Sequence, residues 1–184
     1  MTGGGGPRRH EQHGGSAEAH PLPSGRLRQV AVIGSSRAEL GSELARLGEE
    51  VGRLLAGEGV TLVCGGLTGV MEAACRGATE AGGVAIGIVP GDSVREANPY
   101  CTHVVATGIG HARNLAVVSS GDAVIAIGGE WGTLSEIGFA RALGRPVIAL
   151  RSWTLSGREA MEDAPGVLLA ESPRESVDLA LDAL

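Results

Sequence analysis

Lysine is absent from this chain; all fifteen of its cationic side chains are arginine. Schiff-base chemistry with pyridoxal phosphate is therefore excluded, and so is the lysine-bearing phosphate loop GxxxxGK[ST]. Aromatic side chains are scarce, with one Phe, one Tyr and two Trp. The core must be filled by Val, Ile, Leu and Ala, the usual content of a parallel sheet covered on both faces. Cys64, Cys75 and Cys101 are an odd number without CxxC spacing. That pattern argues against a disulfide framework or a cysteine zinc site, and for reduced thiols in a cytoplasmic protein. No metal site is expected. No apolar run approaches the roughly 18 residues that cross a membrane, and Arg8 and Arg9 are not followed by the apolar stretch of a signal peptide. The formal charge of −6 argues against a nucleic-acid partner, which needs a basic surface.

What is present reads as one domain with a tail. Residues 1–27, rich in Gly, Pro, His and Ser, cannot bury enough apolar surface to offset ordering entropy and read as a disordered tail. His10, His13 and His20 fall in it and read as solvated residues rather than metal ligands. Residues 28–184 form the domain. Strands are expected at Gln29 to Ile33, Val60 to Val63, Val84 to Val89, Thr102 to Ala106, Ala123 to Ile127, Pro146 to Leu150 and Val167 to Ala170. Helices are expected at Leu40 to Ala56, Val70 to Ala81, Gly110 to Ser120, Thr133 to Leu143 and Pro173 to Leu184, with a lid-like excursion at Ser93 to Tyr100. This alternation predicts an α/β, Rossmann-like three-layer α/β/α fold with a mostly parallel, doubly wound sheet.

Ligands of such sheets bind beyond the carboxyl ends of the strands, where strand order reverses. Three turns rich in glycine or serine fall at strand ends. Gly34, Ser35 and Ser36 follow the first strand; Gly65, Gly66, Thr68 and Gly69 follow the second. The third is Gly128 to Glu136, GGEWGTLSE, between the strand ending at Ile127 and the next helix. Bare amides in such a turn, with the positive end of the helix dipole, favour an anion such as phosphate. Gly129, Gly132 and Thr133 are the candidate phosphate-binding residues of this turn. Local alternatives remain for several of these residues. Ser36 with Glu39, and Thr133 with Glu136, each fit a capping box. Arg113 in a first helical turn opposes the dipole unless an anion sits beside it, or is a plain surface arginine. His111 is either structural or a proton-transfer group.

The segments GHARNLAVVSSGDAVIAIGGEWGTLSE and CGGLTGVMEAACRGATEAGGVAIGIVPG resemble the Lonely Guy (LOG) family, once mislabelled lysine decarboxylases. Its hallmarks are a histidine-x-arginine-lysine run and a PGGxGTxxE run. His111 and Arg113 fall on the first, and Gly129, Gly132, Thr133 and Glu136 on the second, in a register without a gap. The likeness covers roughly Gln29 to Leu150. It implies binding of a nucleoside 5′-monophosphate and hydrolysis of its N-glycosidic bond, releasing base and ribose 5-phosphate. Arg113 and Glu136 would be the catalytic residues, no cofactor would be required, and the chain would form a homodimer or higher homo-oligomer.

The sequence departs from that pattern at Asn114 in place of the lysine, Gly128 in place of the proline and Glu130 in place of a glycine. A carboxylate at position 130 repels a phosphate unless it points away. These departures resemble a divergent branch similar to the molybdenum cofactor carrier proteins, which implies binding of a nucleotide or pterin-type ligand without turnover. The main expectation is a phosphoribohydrolase; the alternative is a carrier using the same pocket.

Overall fold

The computed structural model describes Met1 and residues 27–153 and 166–184. The expected N-terminal tail and its histidines lie outside the described residues. Among the described residues the strands are β1 (Gln29–Gly34), β2 (Thr61–Cys64), β3 (Ala85–Val89), β4 (His103–Ala106), β5 (Ala123–Ile127), β6 (Val147–Leu150) and β7 (Val167–Ala170), and the α-helices are α1 (Glu43–Gly57), α2 (Val70–Glu80), α3 (Arg113–Ser120), α4 (Trp131–Ala142) and α5 (Pro173–Asp182). The strands form one sheet in the order β4-β3-β2-β1-β5-β6-β7. All of its pairings are parallel, where the sequence predicts a mostly parallel sheet.

The reason for the fold is legible strand by strand. Side chains alternate across a sheet with a period of two. Val30, Val32, Leu62, Cys64, Ile125, Ile127, Ile148 and Leu150 pack on one face, beneath α1, α2 and α5. Ala31, Ile33, Val63, Val124, Ala126 and Val147 pack on the other, beneath α3 and α4. Both faces are covered, so the central strands are apolar throughout.

With so few aromatic side chains, the layers close through small residues. A side chain at Gly52 of α1 would run into the Ala74 carbonyl of α2, and one at Gly77 of α2 into the Glu49 carbonyl of α1. The two helices thus meet backbone to backbone, with Arg76 and Glu49 ion-paired beside the contact.

Three α-helix starts differ from expectation, and one of them is α3, which begins at Arg113 rather than Gly110, after a 3-10 turn at Gly110–Ala112. α1 begins at Glu43 rather than Leu40, because the Ser42 side chain caps it by accepting from the Ala45 amide. Ser36 and Glu39 therefore form no capping box. α4 begins at Trp131 rather than Thr133, with Glu130 at its N-cap. Thr133 is the third residue inside this helix, so Thr133 and Glu136 form no capping box either. The turn at Gly128 and Gly129, with φ of 56° and 112°, turns the chain early enough to start the helix two residues sooner. The expected lid at 93–100 holds a 3-10 turn, Val94–Glu96. It is pinned, since the buried Asn98 side chain donates to the carbonyls of Gly66 and Leu67.

Two alanine substitutions with opposite signs check this packing. Gly77→Ala should cost about 1–3 kcal/mol through overpacking. Gly138→Ala, at an exposed position of α4 with open space at its Cβ position, should gain about 0.5–1 kcal/mol. Urea denaturation of both variants reads the difference, and equal effects would contradict the glycine contact.

Candidate functional site

The chain fills the sheet outward from β1 to β4, then crosses back to place β5 on the other side of β1. At that reversal the connections leaving β1 and β5 diverge, and an open cleft lies between them. Its walls come from Gly34, Ser35 and Ser36 after β1, Leu67 and Met71 after β2, His111, Arg113 and Asn114 at the start of α3, and Glu130, Gly132, Thr133 and Glu136 at the start of α4.

Each wall has a local cause. A side chain at Gly34 would strike the Ile127 carbonyl, so β1 and β5 can pair to their ends only with glycine there. The first amide of α2, at Val70, donates to the Ser35 carbonyl at 2.9 Å, and the Thr68 hydroxyl donates to the Ser36 carbonyl at 2.9 Å. These bonds fix the β1 turn. α1 and α5 carry serine caps, Ser42 and Ser172, and supply no wall residue. α2, α3 and α4, which do meet the cleft, have no side-chain cap, and of these the first amides of α2 and α3 go to the carbonyls of Ser35 and Gly110. A helix start without a cap leaves amide donors for an anion.

The charged groups lie at two depths. At the mouth, the Ser35 hydroxyl donates to Glu130 Oε1 at 3.3 Å, and Arg37 Nε stands 3.5 Å from Glu130 Oε2. Glu130 does not point away: its carboxylate lies at the start of α4, where the dipole favours negative charge. Deeper, Arg113 Nη1 donates to Asn114 Oδ1 at 2.6 Å and stands 3.8 Å from Glu136 Oε1. Arg113, Asn114 and Glu136 are all buried. Arg113 Nε is buried too and has no protein acceptor. Burial pushes the Glu136 carboxyl up to about 7, with Arg113 pulling the other way. Burial likewise lowers the Arg113 pKa, opposed by the charge of Glu136. The site therefore holds one buried cation beside a carboxyl that titrates near neutrality.

Of the residues singled out in the sequence, Gly34, Ser35, Ser36, Arg113, Gly132, Thr133 and Glu136 line the cleft. Gly65, Gly66, Thr68, Gly69 and Gly129 stand behind the lining. A Cβ at Gly65 would come within 2.7 Å of the Arg113 guanidinium, and one at Gly129 within 2.5 Å of the Thr133 side chain. Gly69 backs onto the carbonyls of Ser35 and Ser36, whereas Gly66 faces Val89 and Gly87 of β3. What the structure shows at these four glycines is close approach of neighbouring atoms. Leu67 and Met71 are lining residues that sequence reasoning misses, because an apolar residue at a helix start looks like core.

A family model, the SLOG cluster4 family, matches residues 27–177. The molybdenum cofactor binding protein of the phototrophic bacterium Rippkaea orientalis is 34% identical, with a TM-score of 0.77 over 86% of this chain and 98% of that one. The molybdenum cofactor carrier protein of Chlamydomonas reinhardtii is 28% identical, with a TM-score of 0.73 over 86% of this chain and 98% of its own. An uncharacterized protein of Archaeoglobus fulgidus is 36% identical over 86% of this chain and 97% of its own length.

The raised pKa of Glu136 gives a signed prediction. The folded state holds this proton more tightly than the unfolded chain, so the carboxyl lowers stability as pH rises from about 4.5 to about 7. The loss is at most about 3 kcal/mol. Glu136→Gln should remove that part of the pH dependence and be the more stable protein at pH 8. Calorimetric Tm values at pH 5 and pH 8 for both proteins check it; identical pH profiles would count against the buried carboxyl.

Proposed function

We propose that this chain, which belongs to the SLOG cluster4 family, binds and carries a phosphorylated pterin-type ligand of the molybdenum cofactor class in the cleft between β1 and β5. One observation carries the reading: the buried guanidinium of Arg113 and the uncapped start of α4 open into the same cleft. A cation and bare helix amides together suit a phosphate. The likeness to two molybdenum cofactor proteins across nearly their whole lengths points to the ligand class.

Glu130 fits a binder. Its carboxylate stands at the start of α4, held by Ser35 and Arg37, so an anion that takes up those helix amides displaces it. Ligand binding exchanges one anion for another: Glu130 swings out and Ser35 and Arg37 turn to the phosphate. The mouth is thereby kept closed to weakly binding anions. The cytoplasm is the compartment that goes with reduced thiols and this cargo. A homo-oligomer joined through α3 and α4 accords with the exposure of Leu115, Trp131, Phe139 and Leu143.

The second reading, hydrolysis of a nucleoside 5′-monophosphate, is favoured by the Arg113–Glu136 pair alone. A carboxyl near neutrality can pass a proton to a departing base, and in its ionised form it can stabilise positive charge at the anomeric carbon.

Both tryptophans of the chain report on the site, because Trp131 starts α4 and packs against Trp153 at 5.6 Å between ring centroids. Titration with molybdenum cofactor should change their fluorescence. Arg113→Ala should weaken binding by about tenfold or more, on the scale of a charged hydrogen bond. Glu136→Gln should leave it intact, and no ribose 5-phosphate should be released from a panel of nucleoside monophosphates. Release abolished by Glu136→Gln would replace the carrier with the hydrolase, and no binding at all would end the proposal.

A pH arm follows from the geometry. An anion beside Glu136 favours its protonated form, so binding should take up a proton at pH 7–8 and weaken as pH rises through about 7. Calorimetry in two buffers of different ionisation enthalpy measures that proton; its absence would show that the ligand charge sits far from Glu136.

A further inference from the structure

Cys64, Cys75 and Cys101 are far apart in the chain, and the fold brings their three sulfurs within 4.8 Å of one another. Cys64 ends β2, Cys75 lies on α2, and Cys101 lies just before β4. The Cys64 and Cys75 sulfurs are 3.3 Å apart, and those of Cys75 and Cys101 are 3.7 Å apart. All three are free thiols. We propose that they form a three-thiolate site for a soft, closed-shell cation of the Cu(I) type.

Geometry comes first. Three sulfurs placed about 2.3 Å from one ion in their plane stand about 4.0 Å apart. Two observed edges, 3.3 and 3.7 Å, are shorter than this and all three sulfurs lie within 4.8 Å, so the triangle is within side-chain adjustment of that size. Thiolates select soft ions. Zinc sites take a fourth ligand, and among the described residues no imidazole or carboxylate joins the cluster. A three-coordinate thiolate set therefore favours Cu(I) over Zn(II).

The surroundings are built around the sulfurs. A Cβ on Gly87 of β3 would come within 2.6 Å of Cys101 Sγ, so the sheet leaves that volume to the sulfur. The Gly66 amide donates to Cys64 Sγ at 3.3 Å. Asn98, tied to the carbonyls of Gly66 and Leu67, also accepts from the Tyr100 amide at 3.1 Å and so stiffens the segment that carries Cys101. Such outer contacts orient metal ligands.

The electrostatics agree. The contacts of Cys101 with Cys64 and Cys75 draw its pKa well below the usual thiol range, and Asn98 adds to this. The same contacts push Cys64 and Cys75 up, Cys101 being the larger influence on each. The thiols lose their protons to solvent as they ligate. Three thiolates around a monovalent ion leave two negative charges, and the guanidinium of Arg113, within electrostatic reach of Cys64, offsets part of them. Ordinary buried cysteines act as small apolar fillers; these three share a proton network, which fillers do not need.

The site is independent of the carrier reading and is tested without the cofactor. Reduced full-length protein, kept anaerobic, is titrated with Cu(I) against a chromophoric Cu(I) chelator. We expect uptake of one equivalent per chain, near-ultraviolet thiolate-to-metal absorption and a raised Tm. Zn(II) should compete poorly. Cys101→Ser, at the partly exposed member, should weaken uptake by more than about 100-fold, since losing only an outer contact costs 10–100-fold. Cys75→Ser is the second variant, and circular dichroism shows whether each is folded. Uptake that either folded variant retains at wild-type strength would overturn the proposal. So would a wild-type protein that takes up no Cu(I) with three titratable thiols, or one in which diamide joins Cys64 to Cys75 while Cu(I) is ignored.

Discussion

Parallel pairing of β1 with β5 is the constraint on which this molecule depends. It joins the two halves of the sheet over five residue pairs, Val30 with Ala123 through to Gly34 with Ile127. It is also where strand order reverses, so the connections that leave these strands must part. The gap is a consequence of topology. Gly34 makes it usable, because any side chain there would strike the Ile127 carbonyl and push the strand ends apart.

Charge is then arranged in that gap by depth. Arg113 is buried beside Glu136, while Glu130 lies at the mouth between Ser35 and Arg37. Burying a guanidinium is costly unless it is partnered. Here the nearby carboxyl is itself pushed toward neutrality, and Asn114 supplies the short hydrogen bond. The cation is therefore only partly compensated, which suits the anion binding proposed above. A tightly ionised Arg113–Glu136 pair would have satisfied itself and left little for a ligand.

Glycine and cysteine do the work that aromatic residues do in other cores. Glycines at 52 and 77 let α1 and α2 touch backbone to backbone. Glycines at 65 and 87 leave room for the Arg113 guanidinium and the Cys101 sulfur. The pocket and the thiol cluster lie against opposite ends of one short segment, Cys64 to Met71, so the β2–α2 turn shapes both.

Much of the fold could be read from the chain. Alternation of apolar strands with amphipathic helices determined the parallel sheet, because a doubly covered strand has to be apolar on both faces. The glycine turns at 34 and 128 located the cleft, since only such turns bring backbone close to a ligand. The starts of α2 and α5 were legible, at Val70 and at Pro173 after Ser172; those of α1 and α4 were not, because Ser36 and Thr133 each had a plausible partner three residues on, and local pattern could not show that Ser42 would cap α1 or that α4 would start at Trp131. Neither could it show that Glu130 faces the mouth, that Leu67 and Met71 form a wall, or that cysteines at 64, 75 and 101 would meet. These are contacts between segments far apart in sequence. Sequence determines the period of each element; which side chains share a space is decided only when the layers close on one another.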